Sequence, residues 1–139
     1  MRVRRAGEAD IPAITELAES LSLDYPGMAK DRLWVAEEGM DGRIVGLVAL
    51  KKHPDCLELC ALGVAPSERG KGIAKALVGV LMAEAAATVH LATVIPAFFE
   101  AFGFERAPDV PRTFMEKRKT AWCDGCDRRR CAVLMRKVS

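Results

Sequence analysis

The sequence predicts a mixed α/β fold of the α+β type: a mostly antiparallel sheet with one βαβ unit at its centre. Three observations predict it. Short apolar runs bounded by Gly, Pro and Asp alternate with stretches whose apolar residues recur at helical spacing. Asp41-Gly42 lies between two such runs, a signal for an antiparallel hairpin. An apolar run over Cys56–Val64, a glycine-containing loop, the longest helical stretch and a further apolar run over Val89–Val94 follow one another, the order of a βαβ unit.

The elements follow in order. Val3–Arg5 reads as a short strand. Asp10–Ser20 reads as a helix, with Ile11, Ile14, Leu17, Ala18 and Leu21 on one face and Asp10 as its N-cap. Ser22–Arg32 is irregular, broken at Pro26-Gly27. Leu33–Glu37 and Arg43–Lys51 are the hairpin strands, the second closed by His53-Pro54. The strand over Cys56–Val64 ends at Pro66, and a helix follows over about Ile73–Ala87 with the stripe Ile73, Leu77, Val80, Leu81. Val89–Val94 is a strand, Pro96–Phe102 a short helix with Pro96 in its first turn and Gly103 as its stop. Phe104 starts an extended stretch, Thr113–Trp122 is a helix candidate, and Ala132–Met135 is a last strand.

Composition sets the frame. A chain of 139 residues, 50% hydrophobic and 29% charged, is long enough for one domain with a core that needs no disulfide staples, and its balance excludes a disordered chain. The reading is therefore one domain over residues 1–139. No apolar run has the length of a membrane span, and the basic start Met1–Arg5 is not followed by an apolar leader segment, so the expectation is a cytoplasmic protein without a membrane partner. The formal net charge of +2 is unevenly spread: residues 117–139 hold eight Lys/Arg against Asp124 and Asp127, leaving the rest of the chain acidic. Such a tail suits an anionic small molecule, nucleic acid or plain solvation. With only Trp122 interleaved it makes a thin stacking platform, and no nucleic-acid partner is expected.

The segment Ser67–Gly72 before the long helix carries the chemistry. A strand, a glycine-containing loop and a helix N-terminus form an anion site by construction, because the free amides of the first turn and the helix dipole both favour negative charge. Gly70 and Gly72 allow close approach, and Arg69, Lys71 and Lys75 add cations. A P-loop does not fit: Gly70-Lys71 is followed by Gly72 rather than Ser or Thr, and Ala65 stands at the place of its first glycine. A dinucleotide fingerprint does not fit either, since Lys75 takes the place of its third glycine and the next strand ends in Thr93-Val94-Ile95 without an acid.

Arg69-Gly70-Lys71-Gly72-Ile73-Ala74 resembles the Arg/Gln-x-x-Gly-x-Gly/Ala signature of the GNAT acetyltransferase superfamily, and it stands between a strand and a long helix as it does there. Leu62-Gly63-Val64-Ala65-Pro66 resembles that family's lead-in, and Phe98–Phe104 its aromatic-x-x-x-Gly-Phe segment. The resemblance runs over nearly the whole chain. It implies the GNAT fold and acetyl-coenzyme A (acetyl-CoA) as cosubstrate. The backbone of Arg69, Gly70, Lys71, Gly72, Ile73 and Ala74 then holds the pyrophosphate, Leu62, Gly63 and Val64 the pantetheine arm, and Phe99 borders the thiol. It also implies Glu58 as general base and the Val64 N–H as donor to the acetyl oxygen. Transfer needs a neutral amine: a lysine amine is only roughly 0.04% neutral at pH 7 and an α-amine roughly 10%. A base of this kind contributes about 10²- to 10⁴-fold. Many family members use a tyrosine as general acid; that position is Phe99 here, and the only tyrosine of the chain is Tyr25. A solvent-facing strand glutamate remains the alternative for Glu58.

The C-terminal part is similar to small N-acetylglutamate synthases. Val110-Pro111, Lys117-Arg118-Lys119, Cys123-x-x-Cys126-x₄-Cys131 and Val133-Leu134-Met135 carry that likeness, whereas Cys60 stands where those enzymes often have a basic residue. The likeness implies an acceptor amine with a carboxylate, such as glutamate, held by Arg112, Lys117 or Arg118. Another small amine, a protein N-terminus or lysine, and a CoA-binding module without turnover stay open, as does a homodimer. Cys123 and Cys126 have zinc half-site spacing, but no His lies near them in sequence. No metal is expected, and reduced thiols are the default.

Overall fold

The computed structural model describes residues 1–117 and 131–138. Seven described strands take the order β1-β2-β3-β4-β5-β7-β6; β1–β2, β2–β3, β5–β7 and β6–β7 pair antiparallel, and β4–β5 pair in parallel. The expected mixed fold is present, with a βαβ unit formed by β4 (Leu57–Val64), α2 (Ile73–Glu84) and β5 (Val89–Thr93). The chain divides into two compact units, Met1–Lys51 with Leu59–Glu84, and Lys52–Glu58 with Ala85–Ser139, so that β4 contributes to both.

In the first unit β1 (Arg2–Arg5) pairs with β2 (Arg32–Glu38), and β2 with β3 (Arg43–Lys52), with a register shift between Ala36 and Glu37. Leu33–Ala36 and Val45–Leu50 are runs without polar residues, and such runs belong in strands covered on both faces. On one face Leu33, Val35, Leu47, Ala49 and Ala61 pack with Met28 and with Ile14 and Ala18 of α1 (Ile11–Ser20). On the other, α2 lies against β1 and β2. A Cβ on Gly46 would sit 3.1 Å from atoms of both Ile73 and Leu77, so the missing side chain lets α2 approach β3 closely. Trp34, fully buried, donates its indole N–H to Glu84 and carries the Arg5 guanidinium 5.2 Å above its ring.

In the second unit the start of β4 pairs with β5 in parallel (Leu57 with Val89, Glu58 with His90). β7 (Ala132–Arg136) pairs with β5 and with the short β6 (Glu105–Arg106), both antiparallel. Arg136 donates to the Phe102 carbonyl at 3.0 Å, beside Gly103, whose φ of +87° stops α3 (Pro96–Glu100) in the left-handed region, as expected of that glycine. α4 (Arg112–Lys117) is capped by a distant residue: the Asp55 carboxylate accepts the Thr113 N–H at 3.1 Å and the Thr113 hydroxyl, which holds its carboxyl below the usual range.

Several expectations need correction. Asp10 stands at the N-cap of α1, but its carboxylate bonds the Arg4 guanidinium at 2.8 and 2.9 Å and the Gly7 N–H at 2.8 Å, not the helix. These bonds hold the Asp10 carboxyl down to about 2. Helix α2 ends at Glu84 rather than Ala87. Ala85–Ala87 have high helix propensity, but the chain must turn there to begin β5. The stripe of α2 buries Val78 in place of the expected Val80. Of the expected helix over Thr113–Trp122, the part beyond Lys117 lies outside the described residues. None of the described helices is long and apolar enough to cross a membrane.

Candidate active site: the loop between β4 and α2

In the first unit, β4 ends at Val64. The next N–H, that of Ala65, bonds the Val45 carbonyl at 2.7 Å, and Pro66 opens a single 3₁₀ turn over Pro66–Glu68. Gly70 and Gly72 follow with φ of +84° and +79°, a region that L-residues enter only with strain. A Cβ at either would meet nothing within 4 Å. The glycines are therefore needed for backbone direction, and open space lies beside them. α2 begins at once, its first bond running from the Ala76 N–H to the Gly72 carbonyl at 3.1 Å, which leaves the amides just before Ala76 without helical partners.

Two of the expected cations, Arg69 and Lys71, are already engaged, and Lys75 is exposed on the first turn of α2. Arg69 Nε donates to the Val64 carbonyl at 3.1 Å, tying the loop back to the strand it leaves. Lys71 Nζ lies 2.6 Å from Glu68 Oε2, and Arg43 Nη2 lies 3.1 Å from Glu68 Oε1. The Lys71 ammonium holds the Glu68 carboxyl below its usual range, and Glu68 in turn raises Lys71. Sequence reasoning missed both Glu68 and Arg43. Glu68 stands three residues before Lys71, a spacing that signals a pair on a helical turn; Arg43 left no signal, since 25 residues separate it from Glu68. Ile73 is buried, so what it offers a ligand is its backbone, and Ala74 is half-buried. Val64 is buried, while Leu62 and Gly63 are half-buried. A Cβ on Gly63 would run into the side-chain ends of Leu21 and Leu23.

Glu58, Phe99 and Arg112 belong to the second unit. Glu58 does not face solvent: it is 3% exposed, and His53 Nε2 lies 2.7 Å from its Oε1. A tight turn, closed by the His53 N–H on the Cys56 carbonyl at 2.9 Å, brings the two together. The sequence marked His53 only as the end of a strand. Beside them burial pushes the Cys56 thiol up to about 12, and burial lowers the His90 imidazole. The His90 Nδ1 has no hydrogen-bond partner among the described residues. Phe99 is half-buried, with its ring edge-on to Phe98 and Phe104. Arg112 is exposed, 3.7 Å from Glu116. Lys117 ends α4, whereas Arg118, Cys123 and Cys126 lie outside the described residues. In the first unit Tyr25 donates to Asp31 at 2.7 Å, and burial raises its phenol well above the usual value. Among the described residues no group of three His, Cys, Asp or Glu is arranged to hold a metal.

Comparison with solved structures finds the same fold in proteins of low identity. N-acetylglutamate synthase from Neisseria gonorrhoeae, in complex with coenzyme A and N-acetyl-glutamate, aligns with a TM-score of 0.79 at 21% identity over 99% of this chain. The chain spans only 35% of that synthase's length. Rv2747 from Mycobacterium tuberculosis, in complex with CoA and NLQ, aligns at 0.74 and 24% identity over all of both chains. YhbS, a GNAT family N-acetyltransferase from Escherichia coli in complex with CoA, aligns at 0.67 and 20% identity over 99% of this chain and 81% of its own. None of the curated protein sequences matches. The family model described as acetyltransferase (GNAT) domain matches residues 29–106, which include β2 to β6 and the whole glycine loop. With more than half of its length under that model, the chain belongs to the GNAT acetyltransferase family.

Proposed function

We propose that this chain is a single acetyltransferase domain that moves an acetyl group from acetyl-CoA to the α-amine of a small amino acid carrying a further carboxylate, of which glutamate is the first to try. The observation that carries the reading is the glycine loop: two left-handed glycines with open space beside them, directly before the amides of a helix. That is a cradle for a pyrophosphate. Acetyl-CoA supplies an activated thioester. The Arg69–Ala74 backbone holds its pyrophosphate, and Leu62–Val64 lie along its pantetheine arm. The Val64 N–H donates to the acetyl oxygen as charge develops there. Glu58 removes the amine proton. Phe99 has no proton to give to the departing thiol. A thiol of pKa about 8.5 leaves as its anion at little cost near neutral pH, so an acid is needed less than for an alkoxide. Arg112, Lys117 and Arg118 supply the positive charge for the acceptor's carboxylate, with Arg suited to two parallel bonds. The bound products named for the N. gonorrhoeae synthase support this class of acceptor.

Two measurements test the reading. Acetyl-CoA at 100 times its Kd stabilises the fold by about 2.7 kcal/mol, a rise of several degrees in Tm; no rise at millimolar ligand overturns the proposal. Thiol release with a panel of amino acids then separates an enzyme from a non-catalytic CoA-binding module, which gives no acceptor-dependent signal. The glycine loop has its own prediction. Gly72→Val forces a branched side chain into the left-handed region at a cost of about 1–2 kcal/mol. If the loop relaxes to relieve that strain, its amides move away from the phosphates. Acetyl-CoA binding, measured by calorimetry, is expected to weaken about tenfold. An unchanged Kd removes Gly72 from the binding loop.

A further inference from the structure

We propose that His53 is the positioning residue of Glu58: its Nε2–H holds the carboxylate in one orientation while Glu58 takes up the amine proton. The inference rests on Glu58 acting as the base, as read above. Its own support is geometric. His53 Nε2 is 2.7 Å from Glu58 Oε1, and the two side chains are only 15% and 4% exposed. The turn that sets this distance is fixed by the His53 N–H to Cys56 carbonyl bond and by Pro54. An ionised carboxylate has no proton to give, so the proton of this bond sits on Nε2. A donor held at this distance on Oε1 fixes which lone pairs the carboxylate presents to a substrate.

The titratable neighbours on the surrounding elements have other roles. Asp55 caps α4 through Thr113. Cys56 and His90, the latter on β5 and in register with Glu58 of β4, are both held toward their neutral forms.

Steady-state kinetics with His53→Leu, His53→Gln, Glu58→Gln and the Glu58→Gln/His53→Leu pair test the proposal. His53→Leu is expected to lower kcat by about 10- to 100-fold, the worth of a hydrogen bond to a charged group. KM for acetyl-CoA should stay within about twofold, since His53 acts through Glu58 alone. His53→Gln, whose amide reaches as far as Nε2, recovers most of kcat. In the Glu58→Gln background His53→Leu costs less than about twofold, because the partner it positions is already gone.

Wild-type kcat in His53→Leu overturns the proposal. So does a Gln variant as impaired as the Leu variant, or a full additional loss in the double variant. If His53→Leu does not fold, as judged by its urea midpoint, Gln against Asn decides, since the shorter Asn cannot reach Glu58. Gln at least about tenfold above Asn supports the role, and equal rates overturn it. Loss of turnover in Glu58→Gln with normal turnover in His53→Leu refutes the role of His53 alone. Normal turnover in Glu58→Gln refutes the base itself, and this inference with it.

Discussion

Glu58→Gln lowers kcat at pH 7 by about 10²- to 10⁴-fold, and up to about tenfold of that deficit is recovered as the pH rises past the amine pKa. The reason is the acceptor. An α-amine is roughly 10% neutral at pH 7, and the fraction supplied by solution alone grows about tenfold per unit until the amine pKa is passed. Above that point solution supplies the neutral amine, and what remains of the deficit is proton removal during the transfer itself. The measurement is thiol release across pH 6.5–10 for both proteins, with saturating acetyl-CoA. A deficit that is constant with pH points to a structural role for Glu58, and no deficit at pH 7 removes it from the reaction. The isosteric amide keeps the buried volume at a position only 3% exposed, so packing is held while the proton acceptor is lost.

Trp34→Ala is expected to be the most damaging single change to stability, by about 3–5 kcal/mol. Trp34 is fully buried between β1 and β3, faces α2, and satisfies Glu84 with its indole N–H. Alanine leaves a cavity and takes away the donor that Glu84 uses. With a urea m-value of about 1–3 kcal/mol/M, the midpoint falls by more than about 1 M. A fall worth less than about 1 kcal/mol contradicts the packing described here. Trp34→Phe, which fills much of the space without the N–H, separates the two contributions.

Legibility followed sequence distance. Periodicity and turn residues marked the described strands and α-helices in the right order, because those signals lie within a few residues of one another. Asp41-Gly42 and Gly103 are examples: each does locally what its residue type suggests, with φ of +67° at Gly42 and +87° at Gly103. The glycine loop was legible for the same reason. What the sequence did not announce were pairings made by folding. The Asp55 cap on α4 joins residues 58 apart, and the Arg43–Glu68 pair joins residues 25 apart. Asp10 looked like a cap because its type and place suit one, yet the Arg4 guanidinium competes for the same carboxylate and wins on charge. His53 was hidden differently. It is close to Glu58 in sequence, but only the turn after β3 puts the two side chains together.

The engagement of Lys71 by Glu68 bears on how the protein responds to salt. Attraction between free charges fades once the ionic strength brings the screening length down to a few ångströms, whereas donors that touch their acceptor are screened much less. In this loop the Lys71 charge is offset by the Glu68 carboxylate, whereas Arg69, turned back onto a carbonyl, keeps its charge and Lys75 is exposed on the first turn of α2. Peptide N–H groups grip a phosphate by contact, and these charges draw it from further away. Its affinity for a nucleotide cofactor should therefore depend somewhat less on ionic strength than the basic character of Arg69-Gly70-Lys71 suggests.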